Sequence, residues 1–275
     1  MPIQNRILVS HESPISILQK SKTYNDFDYA LVHLFDTHPT YFQFFKDSLR
    51  IYNRQVLLDN SLFELGKAFE ASRYMARIEE LNPTMALIPD VFEDGPSTIE
   101  HYRHFIQQYD KTLRDLGTVK IGAVHGRNWN ELLNCYRFMA ESADMIAISF
   151  DFIFYQMIGE GNSHNERCYT GRQRFIRQLI DRGAWEWNKP HHLLGCSLPQ
   201  EFGYYRKQGI YNIRSVDTSN PVVHGMCNIR YCDTFGLNQK LTLKLADLIS
   251  EEVSQDSIND ILYNVDCFKR ILNGD

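Results

Sequence analysis

The chain has 275 residues, 43% of them hydrophobic and 23% charged, and its 29 basic and 34 acidic side chains give a formal charge of −5. Those proportions exclude a disordered, collagen-like or low-complexity chain, and the negative balance argues against a generally basic nucleic-acid coat. No run approaches the ~18 apolar residues of a membrane span, and the opening MPIQNRILVSHES has no signal-peptide core, so a cytoplasmic protein with no membrane partner is expected.

In chain order, short apolar runs alternate with segments of helical spacing. Arg6–Val9, Tyr29–Leu34, Val56–Asp59 and Ala86–Pro89 come first, each about a strand long and apolar on successive positions. That pattern suits strands buried on both faces. Ser97–Leu116 follows, opened by Pro96 and Ser97, with Ile99, Tyr102, Ile106, Tyr109 and Leu113 on one helical face. Then come the run Val119–Val124, a helix over Trp129–Ala140 and the run Met145–Phe150. After a long interval come His192–Cys196, a helix over Leu198–Gln208 with Ser197 as N-cap and Gly209 as its stop, and Asn212–Val216.

Eight such runs with helices between them imply an α/β fold, a (β/α)8 TIM-type barrel. Neither GxGxxG nor GxxxxGKS occurs, so nucleotide-binding folds lose their usual support. No repeat or Pro/Gly/Ser-rich linker marks a boundary, and one domain over 1–275 is expected. Two segments exceed a minimal barrel: an arginine- and aromatic-rich excursion, 151–189, and a helical C-terminal extension, 227–275. The six cysteines (Cys135, Cys168, Cys196, Cys227, Cys232, Cys267) lack CxxC spacing and read as reduced thiols.

Barrel chemistry sits where strands end. Five of the runs end near Asp59, Asp90, His125, Asp151 and Asp217. Any one aspartate there commonly caps the following helix or turn, but four carboxylates at one rim would repel unless a ligand offset them. A metal-dependent hydrolase using Asp59, Asp90, His125 and Asp217 is one reading, although HxH, HExxH and EF-hand spacings are absent. The alternative is covalent glycosyl chemistry, one carboxylate attacking an anomeric carbon while another group handles the proton on a departing base. Phe63, four residues past Asp59, offers an aromatic face for that base or simply packs in the core.

These strand ends resemble the tRNA-guanine transglycosylase superfamily, whose members exchange guanine in a polynucleotide for a 7-deazaguanine. Leu58-Asp59-Asn60-Ser61-Leu62-Phe63-Glu64 is similar to the family's L-D-S-G-G-F/Y-Q, Ile88-Pro89-Asp90 to its base-recognising strand, and Ala123-Val124-His125-Gly126 to its I-V-Q-G. Lys189-Pro190-His191-His192-Leu193-Leu194-Gly195-Cys196-Ser197-Leu198-Pro199 is similar to K-P-x-Y-L-M-G-V-G-x-P. The ordered set runs from about residue 56 to 220, some 60% of the chain. The resemblance implies that Asp217 is a nucleophile and that Asp59 assists proton transfer or sugar positioning; because the strand from Gly209 is a few residues longer than the family spacing, Asp151 is the fallback catalytic carboxylate. It further implies that Asp90 reads the base edge, that Phe63 and Leu194 sandwich the ring, and that His125, Gly126 and Gly195 complete the base pocket. No cofactor is implied.

Several positions depart from the family. His125 replaces a glutamine, Ser61 and Leu62 replace a glycine pair, and Ser149-Phe150 replaces another. The family's C-x-C-x2-C…H zinc motif is missing, the nearest set being His224, Cys227 and Cys232, for which buried thiols and a loop histidine are the preferred reading over structural zinc. Without that insertion or an RNA-binding module, the chain is most similar to the phage and bacterial branch that inserts preQ0-type bases into DNA, so DNA is expected ahead of tRNA. If phage-encoded, it would work in the host cytoplasm. The excursion offers Arg167, Arg172, Arg174 and Arg177, interleaved with Tyr169, Phe175, Trp185 and Trp187, for phosphate and base contacts. A solvated amphipathic helix with Phe175 and Leu179 inward is the competing reading, and a non-catalytic nucleic-acid-binding barrel is its functional counterpart.

Overall fold

A computed structural model describes residues 6–231, 241 and 245–274. Among the described residues there are eight strands: β1 (Leu8–His11), β2 (Asp28–Leu31), β3 (Val56–Asp59), β4 (Met85–Leu87), β5 (Val119–Val124), β6 (Met145–Ile148), β7 (His191–Leu193) and β8 (Ile213–Thr218). The main helices follow them in turn: α1 (Leu18–Ser21), α2 (Pro39–Arg50), α3 (Ala71–Leu81), α4 (Gly95–Leu116), α5 (Trp129–Ser142), α6 (His164–Asp181), α7 (Glu201–Lys207) and α8 (Asn220–Met226), with α9 (Gln255–Asn273) in the C-terminal extension. The sheet order is β1-β8-β7-β6-β5-β4-β3-β2. Parallel pairing joins β1 to β8 and each neighbour from β2 to β6. This is the strand order and helix alternation of a (β/α)8 barrel, as the sequence predicts. Among the described residues, no helix is long and apolar enough to cross a membrane.

The chain forms two compact units. The first comprises Met1–Asp26, Phe150–Trp187 and His192–Asp275; the second comprises Phe27–Ser149 and Asn188–His191. The boundaries run through ordinary strand-adjacent sequence, which is why composition does not mark them.

In the second unit, β3 buries all four residues, and Tyr74 of α3 donates its hydroxyl to the Leu58 carbonyl at 2.8 Å. Around it Ile78, Phe105, Leu113, Leu132, Tyr136 and Met139 bring helical apolar faces into the core. Helix α4 starts at Gly95, two residues before the predicted Ser97, because Asp94 accepts the Ser97 amide and Pro96 occupies the first turn. Helix α5 starts at the predicted Trp129, capped by Asn128.

In the first unit, Ile17, Tyr24, Val222, Ile261 and Val265 form a buried cluster that joins α8 to α9. The extension is thus tied to the chain start: the Lys269 ammonium donates to the Tyr24 carbonyl and pairs with Asp26 at 3.0 Å. Helix α7 begins at Glu201, three residues later than Ser197 would place it, because Leu198 is buried and Pro199 opens a turn whose carbonyls accept the Glu201 and Phe202 amides. It ends before Gly209, as expected.

Candidate functional site

The structure places each predicted strand-end residue at or just beyond the carboxyl end of a strand. Asp59 closes β3, His125 follows β5, Asp90 lies three residues past β4, and Asp217 lies within the last turn of the ladder on β8.

In the second unit, Asp59 is buried, with its Oδ2 accepting the Tyr29 hydroxyl at 2.7 Å and its Oδ1 accepting the Ser61 amide. Burial first, and then the charge of Glu64, push its carboxyl well above the usual range, against the pull of the Tyr29 and Ser61 donors; Asp90 adds to the rise. A raised pKa favours the protonated, donor form of the carboxyl. Ser61 holds φ at +60°, the left-handed region that favours glycine, and its hydroxyl accepts the His33 amide. Ser61 thus holds a backbone conformation that glycine adopts more readily.

Asp90 and His125 form a buried pair. His125 Nε2 stands 2.7 Å from Asp90 Oδ2, and Asn60 Nδ2 donates to Asp90 Oδ1 at 2.9 Å. The Glu93 amide donates to His125 Nδ1 at 3.2 Å, so Nδ1 carries the lone pair and the Nε2–H group donates its hydrogen bond to Asp90. A carboxylate offers about four acceptor sites, so two remain on Asp90 for N–H groups of a ligand. Phe63 is half-exposed rather than core, and so is Phe92, whose ring meets His125 edge-on at 6.2 Å. Gly126 is buried where an added Cβ would lie 2.6 Å from the Leu132 amide nitrogen, so close approach of α5 requires glycine there.

In the first unit, Asp217 is buried and both of its donors converge on Oδ1: His192 Nε2 at 2.9 Å and the Gly195 amide at 3.1 Å. The Ser215 hydroxyl lies 2.8 Å from His192 Nδ1 and fixes the ring from its other side. Gly195 reaches Asp217 through φ of +68°, a conformation that side chains disfavour. Leu194 is half-buried.

Arg172 corrects the sequence reading. It is fully buried, and its guanidinium grips Glu201 bidentately at 2.8 and 2.7 Å while donating to the Leu194 and Gly195 carbonyls at 3.1 and 3.0 Å. Burial works against its charge, but the attraction and hydrogen bonds of Glu201 outweigh it and raise its pKa above the usual value. Arg172 is therefore a positioning residue for the 194–195 turn and is sequestered from phosphate. Phe175 and Trp185 are likewise core, the latter donating from its indole to Asn212 at 3.0 Å. The competing amphipathic reading thus holds for the inner face of α6. Arg174 and Arg177 remain on its outer face, paired with Glu160 and Asp181, and Arg167 is half-buried. Exposed Trp187 lies against exposed Tyr211, centroids 5.7 Å apart.

Sequence reasoning passed over Asn60, Tyr29, His192 and Glu201 as functional groups; Asn60 and His192 carried a signal, from their places in the Leu58–Glu64 and Lys189–Pro199 motifs. Among the described residues, the ligand atoms of Asp59, Asp90 and His125 do not gather within 4.8 Å of one another; those of Asp151, His164 and Cys168 do. Of the His224, Cys227 and Cys232 set, Cys232 lies outside the described residues, and buried His224 contacts the Asn220 carbonyl through Nδ1 at 2.8 Å. The five described cysteines are free thiols. No family model matches the chain, and no curated protein matches it significantly.

Proposed function

We propose that the chain is a base-exchange transglycosylase that replaces guanine in a polynucleotide, DNA ahead of tRNA, with a 7-deazaguanine of the preQ0 type. The observation that carries this reading is the held carboxylate of Asp217: two donors fix Oδ1 and leave Oδ2 clear of both. A carboxylate so oriented suits attack on an anomeric carbon passing through an oxocarbenium-like state.

On this reading, Asp217 Oδ2 forms a bond to C1′ as the bond from C1′ to guanine N9 breaks. The departing electron pair on the base takes a proton from the carboxyl of Asp59, the role of general acid that this reading gives it and that the upward shift of its pKa favours. The incoming 7-deazaguanine returns its proton to Asp59, and its ring nitrogen displaces Asp217 from C1′, restoring both carboxyls. Asp90, aligned by Asn60 and by the His125 Nε2 proton, accepts N–H bonds from the base edge. Phe63 and Leu194 supply apolar surface to the ring.

The test incubates the protein with 7-deazaguanine bases and, separately, duplex DNA, single-stranded DNA or tRNA, followed by mass spectrometry of the digested nucleosides. A 7-deazaguanine nucleoside in a DNA arm, absent with Asp217→Ala, is expected. Incorporation confined to tRNA overturns the DNA assignment. Exchange by Asp217→Ala, or no exchange in any arm, overturns the reaction.

A further inference from the structure

Asp151 and the first turns of α6 bring together an oxygen, a nitrogen and a sulfur ligand, all within 4.8 Å of one another and all in the first unit. His164 and Cys168 are four residues apart on α6, so they share a face one turn apart. A capping box between Ser163 and Glu166 fixes the start of that helix and hence the aim of both side chains. His164 Nε2 lies 3.0 Å from Asp151 Oδ1, and Cys168 Sγ lies 3.6 Å from each of those atoms.

Those lengths are informative. A tetrahedral zinc ion with nitrogen and oxygen at about 2.0 Å and sulfur at about 2.3 Å has N–O edges of about 3.3 Å and edges to sulfur of about 3.5 Å. The triangle formed by the three side chains matches them to within about 0.3 Å. A plain histidine–aspartate ion pair needs no thiol equidistant from both partners. The donor set, one sulfur, one imidazole and one carboxylate, belongs to zinc-class ions and not to the all-oxygen sites of magnesium or calcium. Cys168 is buried, whereas His164 is 43% and Asp151 27% exposed, so one side of the triangle faces solvent.

We propose that Asp151, His164 and Cys168 bind one Zn²⁺ ion, with water in the fourth position. Binding forms bonds from Asp151 Oδ1, the neutral imidazole Nε2 of His164 and the Cys168 sulfur, whose thiol proton passes to solvent. The ion ties the segment after β6 to the start of α6, bracing the helix that carries Arg172. This site is independent of the base-exchange reading, and it uses none of the residues of the His224, Cys227 and Cys232 set that the sequence offers.

The test titrates metal-stripped full-length protein with Zn²⁺ against a chromophoric chelator and, in parallel, with Co²⁺ as a spectroscopic probe. One equivalent of Zn²⁺ and a near-ultraviolet thiolate-to-Co²⁺ band are expected. His164→Ala, at an exposed position, and Asp151→Asn, at a partly exposed one, should each leave the far-ultraviolet circular dichroism of the parent and weaken Zn²⁺ at least about 100-fold, more than loss of an outer partner would. A Cys227→Ser/Cys232→Ser variant should bind as the parent does. Failure of the parent to bind overturns the proposal. So does binding unchanged by His164→Ala and Asp151→Asn, or a thiolate band lost only in the Cys227/Cys232 variant.

Discussion

His192 Nε2 donates to Asp217 Oδ1 across 2.9 Å, from a ring that Ser215 holds on its far side. Since the Gly195 amide is the other donor to that oxygen, removing the imidazole leaves the carboxylate with one support and a free torsion. In the base-exchange assay, His192→Ala is expected to lower the single-turnover rate by about 10²-fold, the usual cost of one preorganised donor. His192→Gln, which retains an N–H donor, should recover part of the loss. Asp217→Ala should leave no exchange. An unaltered rate for His192→Ala would remove the orienting role from this pair.

The Arg172–Glu201 pair makes a prediction about stability. Both side chains are wholly buried, and the Tyr205 hydroxyl adds a third bond at 2.6 Å to Glu201. Removing either partner strands a charge away from water, so Arg172→Met and Glu201→Gln should each cost about 3–5 kcal/mol. The double variant Arg172→Met/Glu201→Met should recover much of that, because no uncompensated charge remains. Urea unfolding of the three variants measures it; equal losses in single and double variants would mean that packing, rather than charge pairing, dominates the site.

Arg174 and Arg177 lead to a different measurement. Their acidic partners are exposed, and exposed pairs are screened by water and salt, so a phosphate can displace them. If α6 tracks a nucleic-acid backbone, Arg174→Ala and Arg177→Ala should each reduce the slope of log affinity against log salt by about one, whatever the base sequence. Arg174→Ala/Arg177→Ala binding with the parent's salt slope would dismiss α6 as the contact.

Much of this was legible in the sequence, and the exceptions have physical causes. Every apolar run became a strand, and β3 and β5 have the predicted bounds, because burial on both faces leaves an unbroken apolar signature. The sequence shows part of the inward face of α6, Phe175 and Leu179, but the reading of Arg172 as a phosphate contact fails because it sits in the middle of the same buried stripe as Cys168 and Ile176. Its partner Glu201 lies 29 residues away, a distance that no local pattern bridges. His191 and His192 show the limit most plainly. They are identical and adjacent, yet alternate side chains of a strand face opposite ways, so His191 meets the Tyr136 hydroxyl at 2.8 Å while His192 meets Asp217.

That same burial sets the pH dependence of folding. Burial lowers both His191 and His11 to about 3; Lys269 also pushes His11 down, while bonds to the Lys189 carbonyl and to Asn25 oppose the shifts. Unfolded, each binds a proton near 6.5. The native state refuses protons that the unfolded state accepts, so stability is intact above pH 6.5 and falls as pH drops toward 3, by about 1.4 kcal/mol per unit for each ring. Asp59 acts in the opposite sense: its native pKa is raised, so its contribution is full below about 4 and is lost as pH rises through the native value. His191→Gln should therefore flatten the acid limb by about 1.4 kcal/mol per unit between pH 6 and 4. Asp59→Asn should gain stability relative to the parent as pH rises from 4 to 7, since an amide cannot ionise. Urea unfolding at pH 4, 5, 6 and 7 separates the two effects by sign. An Asp59→Asn advantage that shrinks with rising pH would show that Asp59 is ionised in the folded protein and cannot be the neutral proton donor.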